Sequence, residues 1–112
     1  MEPISWADFA KVDMRVGTII AAEPFPQARK PAYKLTIDFG VEVGIKRTSA
    51  QITTLYQPDT LIGRQVVAVV NFPPKQIGPF MSECLVMGSV APDGTVTLLI
   101  PERHAENGLR IG

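Results

Sequence analysis

Cysteine and histidine are nearly missing from this chain, with one of each in 112 residues. The lone Cys84 permits no intrachain disulfide and no cysteine-based zinc cluster, and a reducing compartment is its simpler home. It lies in an apolar stretch, where a thiol behaves as a small hydrophobe and not as a nucleophile. His104 stands in a Pro- and Gly-bounded tail beside Arg103, Ala105 and Glu106, the setting of a surface residue and not of a catalytic base. No metal-ligand spacing occurs, and no glycine-rich cradle for phosphate precedes a helical stretch, so no metal and no cofactor is expected. These absences argue against an enzyme. Eleven basic and eleven acidic residues cancel, which excludes a nucleic-acid binder driven by bulk charge but leaves room for a local basic patch. There is no basic-then-apolar leader at the start and no apolar run of membrane-spanning length. The expectation is a cytoplasmic protein without membrane insertion.

What is present reads as a single domain over residues 1–112, able to bury a modest core. Its centre is Arg64-Gln65-Val66-Val67-Ala68-Val69-Val70-Asn71. Four valines in five positions favour a strand, and apolar residues at both parities require cover on both faces. Pro73 and Pro74 cannot donate to a ladder, so the chain leaves the sheet at Phe72. Lys75-Gln76-Ile77-Gly78-Pro79-Phe80 then reads as an irregular loop with one charge and two large apolar side chains, a common way to build a binding site.

Ser5 and Asp8 form a capping signature for a short N-terminal helix, and Trp6, Phe9 and Ala10 share one face of it. Such a helix must dock, in the core or on a second subunit. Met14 to Ala22 reads as a long first strand, with Gly17 marking a bulge or bend. Glu23 to Pro31 is a loop carrying Arg29 and Lys30. Tyr33, Leu35, Ile37 and Phe39 alternate with Lys34, Thr36 and Asp38, the clearest half-buried strand in the chain. Val41 to Val43 links it to a hairpin partner over Gly44–Ala50. Pro58 to Gly63 gives a short turn or helical segment, Phe80 to Met87 a fifth strand, and Pro92-Asp93-Gly94 a turn into Thr95–Ile100. Leu109 and Ile111 suit a short final strand. Leu35, Ile37, Val67, Val69 and Leu85 are expected in the core. About six short strands with one small terminal helix predict an all-β fold, a closed or nearly closed antiparallel barrel.

In an oligonucleotide-binding (OB) barrel the loops after the first and fourth strands flank the strand-2/strand-3 face that takes ligand. Arg29, Lys30 and Lys75 lie in those loops, Lys34 lies on the second strand, and Lys46 and Arg47 lie on the third. Because Lys46 and Arg47 are adjacent, only one of them shares a face with Lys34.

Several segments are also familiar. Asp13-Met14-Arg15-Val16-Gly17-Thr18-Ile19, Tyr33-Lys34-Leu35-Thr36-Ile37-Asp38-Phe39-Gly40, Leu61 to Asn71, and Ser82 together resemble the tRNA-binding domain family. With the strand pattern, that resemblance implies a five-stranded antiparallel OB barrel with a short N-terminal helix and a C-terminal extension. It also implies a surface for tRNA, with Arg29, Lys30, Lys34, Arg47, Lys75 and Ser82 as the RNA-binding set. Lys46 to Ile52 and Asn71-Phe72-Pro73-Pro74 are more similar to the family's export-related chaperones, which implies a homodimer that binds unfolded precursor polypeptides for secretion without ATP. Its peptide-binding set would be Phe72, Pro73, Pro74, Ile77 and Phe80. Ser49-Ala50-Gln51 and Ser82-Glu83-Cys84-Leu85 stand where the tRNA-binding relatives usually carry Ser-Gly-Leu and Ser-x-Gly-Met. A lost glycine puts a side chain where backbone could approach closely, and Glu83 adds negative charge. Both departures favour the peptide reading.

Overall fold

The computed structural model describes residues 1–112. Its main sheet is five-stranded and antiparallel, built from β1 (Met14–Pro24), β2 (Tyr33–Asp38), β3 (Ile45–Ala50), β4 (Gln65–Val69) and, after two intervening strands, Leu85–Val86. The intervening pair, β5 (Lys75–Ile77) and β6 (Phe80–Ser82), forms its own hairpin, and Leu85–Val86 is therefore β7. A third ribbon pairs β8 (Gly88–Val90) with β9 (Val96–Leu98). Three helical turns complete the chain: α1 (Trp6–Ala10), α2 (Gly40–Val43) and α3 (Pro58–Leu61). The sheet order β3-β2-β1-β4-β7 curls into a nearly closed barrel, the OB architecture expected from the strand pattern and the family resemblance together.

β1 organises the closure. Its first half pairs with β4 along one edge, and its second half pairs with β2 along the other. Between the halves the register slips at Ile20, a bulge that bends the strand so that both partners can share it. Gly17 is not that bulge. A Cβ at Gly17 would lie 2.6 Å from Ile37 Cγ2 and 2.7 Å from the Phe39 ring, so this glycine lets β2 side chains pack onto β1 backbone. β1 also runs on through Glu23 and Pro24, which pair with Lys34 and Tyr33, so the first loop begins later than its sequence suggests. The inner face is apolar as the alternation requires: Ile19, Leu35, Ile37, Phe39, Leu61, Val66 and Ala68 are fully buried in one cluster.

Other expectations change in detail. The fifth strand is broken at Glu83 and Cys84, but the alternation of burial runs on through the break, with Phe80 and Cys84 buried and Met81 and Leu85 exposed. Leu85, expected in the core, thus falls on the outward parity and is about half exposed. Lys75–Ile77 is a strand and not a loop, with Lys75 opposite Ser82 and Ile77 opposite Phe80. Val41–Val43 belongs to a helical turn. The tail bonds to β1 through Leu109, Gly108 and Ile111, covering the edge that β2 leaves free, but registers only an isolated bridge at Arg110. The capping box at Ser5 and Asp8 is complete, yet α1 buries no residue and Trp6 is 89% exposed.

Candidate functional site

The barrel's last seam, between β3 and the β6–β7 segment, is closed mostly by side chains. Thr48, 1% exposed, points inward from β3 by strand alternation, and its hydroxyl donates to Cys84 O at 2.6 Å. That proton is therefore spent, so the Ser82 hydroxyl, 3.0 Å away, donates to Thr48 Oγ1 while its oxygen accepts from Ser49 N at 3.3 Å. Glu83 completes the seam. Its backbone N–H donates to Arg47 O at 2.8 Å, and its carboxylate accepts from Arg47 N at 2.9 Å. The strand break thus lets one residue satisfy both main-chain groups of Arg47 on the outer edge of β3. Glu83 and Ser82, read from the sequence as influences on ligand, are committed to holding the barrel shut.

Two surfaces adjoin this seam, and the β5–β6 hairpin separates them. On one side, Phe25 and Phe80 pack edge to face with centroids 5.3 Å apart, and with Ala32 they form a small second core. Both rings are buried. Lys34 Nζ lies 5.5 Å from the Phe25 centroid and 5.9 Å from that of Phe80, while the Arg47 guanidinium lies 4.7 Å from Phe80. Arg47 and Lys34 do share a face, since Arg47 pairs with Thr36 and Lys34 with Ser49. Glu23 Oε1 sits 3.4 Å from Lys34 Nζ and 3.8 Å from Arg47 Nη2, so one carboxylate serves both cations. Arg29, Lys30 and Lys75 are exposed and make no ion pair. A Cβ at Gly78 would approach Gln27 O to 4.0 Å, which brings the hairpin turn against the β1–β2 loop.

On the other side lies a groove of about 570 Å³. Ala50, Ile52 and Cys84 form buried parts of its lining, and Phe72, Pro73, Ile77, Leu85, Val86 and Val90 line it more openly. Lys75 is the one charged residue on its walls. Phe72 and Leu85 are about half exposed, an unusual state for large apolar side chains brought together in a concavity. Burial of the Cys84 thiol, only partly offset by its hydrogen bond with Thr48, pushes its pKa up to about 11. The floor of the groove is therefore uncharged at neutral pH.

Of the residues predicted for peptide, Phe72, Pro73 and Ile77 come together at the groove. Pro74 is exposed outside its lining, and Phe80 turns away into the Phe25 core. Of those predicted for RNA, Lys34 and Arg47 converge, Arg29 and Lys30 are exposed in the β1–β2 loop, Lys75 lies on the groove wall, and Ser82 is part of the seam. Glu23, Phe25 and Thr48 were missed. Pro24-Phe25-Pro26 carried a signal, a large ring held between prolines where a loop was expected, whereas Thr48 had none. No three His, Cys, Asp or Glu side chains gather as a metal site would require.

A family profile described as "Putative tRNA binding domain" matches residues 14–110. The chain belongs to the tRNA-binding domain family. It is similar over 99% of its length, at 50% identity and a TM-score of 0.94, to the whole of a chaperone CsaA structure from Bacillus anthracis. A CsaA chaperone protein from Picrophilus torridus matches 98% of this chain and all of its own, at 50% identity and a TM-score of 0.90. Methionine--tRNA ligase 1 of Sorangium cellulosum is 43% identical over 105 residues, 93% of this chain but 14% of that enzyme. The first-matched ligases are thus much longer than this chain, which spans about a seventh of each. The whole-chain likenesses are to the two CsaA chaperones and, at 28% identity and a TM-score of 0.87, to a MetRS related protein from Pyrococcus horikoshii, matched over all of both chains.

Proposed function

We propose that this protein is a cytoplasmic, ATP-independent chaperone for export, holding unfolded precursor polypeptides in the groove beside the barrel seam. The observation that carries the reading is the groove itself: half-exposed Phe72 and Leu85 face one another's surroundings over an uncharged floor, with Lys75 alone at the wall. Apolar side chains of an extended polypeptide would fill that space, and main-chain rigidity at Pro73 lowers the entropy lost on binding. The 50% likeness to CsaA chaperones along the whole chain supports the same assignment. No helix is long and apolar enough to cross a membrane.

The reading includes a homodimer. Trp6 stands 89% exposed on α1, Leu109 and Ile100 are about half exposed, and Arg110 ties the tail to α1 by donating to Ala10 O at 2.8 Å. A helix that buries nothing in its own chain gains its stability from a neighbour, and a second copy supplies the same surface by symmetry. Sedimentation at micromolar concentration is expected to give a dimer, and Trp6→Ser is expected to weaken it.

The test of the groove is affinity for a reduced, carboxymethylated protein that cannot fold. Phe72→Ser and Ile77→Ser should each weaken it at least about fivefold, with the melting temperature near the parent's for half-exposed Phe72→Ser and lower for Ile77→Ser, whose side chain also packs against the second core. If both variants, folded and dimeric, bind like the parent, the groove is not the site. The second reading, a tRNA-binding module, is favoured by the tRNA-binding family match and by the exposed, unpaired Arg29, Lys30 and Lys75. It requires tRNA affinity that falls steeply with salt and falls again in Arg29→Ala, Lys30→Ala and Lys75→Ala.

A further inference from the structure

The face an OB barrel offers to nucleic acid is filled, in this chain, by the chain's own side chains. Sequence-tolerant binding of single strands needs free aromatic faces for bases and unpaired cations for phosphates. Phe25 is 3% exposed and Phe80 5%, and the cations themselves lie over the rings where bases would stack. The cations are not unpaired either. A single oxygen of Glu23 lies between Lys34 Nζ and Arg47 Nη2, at 3.4 and 3.8 Å, as a phosphate oxygen would lie between a lysine and an arginine.

The ladder holds that carboxylate in place. Glu23 is the cross-strand partner of Lys34, at the far end of β1, so its backbone is ordered before any ion pair forms. Its side chain is 57% exposed, which makes the pair weak as a source of stability but leaves the carboxylate free to compete with an incoming anion.

We infer that Glu23 is the residue that sets the ligand class of this face: its carboxylate stands in for a nucleic-acid phosphate and keeps RNA off Lys34 and Arg47. The inference concerns the cation face and does not depend on what the groove binds.

Glu23→Gln removes the charge and keeps the shape. With tRNA as the probe over a salt series, the variant should bind about three- to tenfold more tightly than the parent at low salt. The log–log salt slope should steepen by about 1 to 2, since two cations become available and each neutralised phosphate contributes about 0.7 to 0.9. Glu106→Gln, an exposed acid in the tail without an ion pair, makes the same change of net charge elsewhere and should leave affinity within about twofold. Adding Lys34→Ala and Arg47→Ala to Glu23→Gln should abolish the gain. Glu23→Thr, a strand-favouring residue, repeats the test if Gln disturbs the fold. The inference is overturned if Glu23→Gln matches the parent in affinity and slope, if Glu106→Gln gives an equal gain, or if the gain survives loss of both cations. Polypeptide affinity, read separately, should be unchanged by Glu23→Gln, so failure here and failure of the groove are distinct results.

Discussion

The two surfaces on either side of the β5–β6 hairpin use similar residues to opposite ends. Each has large apolar side chains beside a base. On the Phe25–Phe80 side the rings are buried, the bases lie on them and a carboxylate neutralises the bases. On the groove side Phe72, Ile77 and Leu85 remain accessible, and Lys75 has no acidic partner. A surface whose forces are satisfied internally adds stability. One whose apolar area and charge are left open is available to a ligand. Composition alone would not separate them: Ile77 and Phe80 are cross-strand partners, yet Phe80 is a buried member of the second core while Ile77, partly buried against that core, also lines the groove.

The largest effect should come from the closed side. Phe80→Ala removes a buried ring from a three-residue cluster and should cost about 3 kcal/mol of stability by chemical denaturation. A cost below about 1 kcal/mol would mean that this side is as open as the groove.

The groove floor gives the next effect, through pH. The Cys84 thiol has its pKa raised from 9.0 to about 11 in the folded state by burial. Unfolded chains lose this proton first, so stability is complete below pH 9 and falls as pH rises from about 9 to about 11. The loss is on the order of 2–3 kcal/mol. Cys84→Ala should remove that component from the stability–pH curve. An equally steep alkaline loss in the variant would show that the thiol floor is not protected as described.

Between the two surfaces, Thr48→Val keeps the shape and deletes the donor to Cys84 O, leaving a buried carbonyl unpaired. The expected cost is about 1–2 kcal/mol, with increased hydrogen exchange at Ser49 and Glu83, whose amides bond across the same seam. The smallest change in stability belongs to Phe72→Ala, within about 0.5 kcal/mol because the side chain is half exposed. Its readout is binding. A large loss of stability there would move Phe72 from the open surface to the closed one.

Much of the frame was legible from local chemistry. The alternation from Tyr33 to Phe39 specifies which side chains enter the barrel, because a strand's period of two leaves no choice once one face is apolar. Ser5 and Asp8 specify a helix start, and Asp93-Gly94 specifies a turn, since each depends on groups within three residues. The valine run of β4 and the base-bearing positions on β2 and β3 follow in the same way.

Tertiary structure alone decided which partner each side chain meets. Gly17 signalled an irregular strand, but its use is to admit Ile37 and Phe39 from another strand. Phe72 and Phe80 read alike beside prolines, yet one lines a groove and the other enters a core, because the hairpin between them sets their depth. Glu83 looked like a free charge and is a seam bond, because the break at Cys84 turns it toward Arg47, 36 positions away. Glu23 read as part of a loop and became the counter-charge of the basic face through its pairing with Lys34. Short-range patterns choose strands, turns and faces through backbone geometry. Long-range contacts choose neutralised or open charges and buried or exposed rings, because those depend on residues that only the closed barrel brings together.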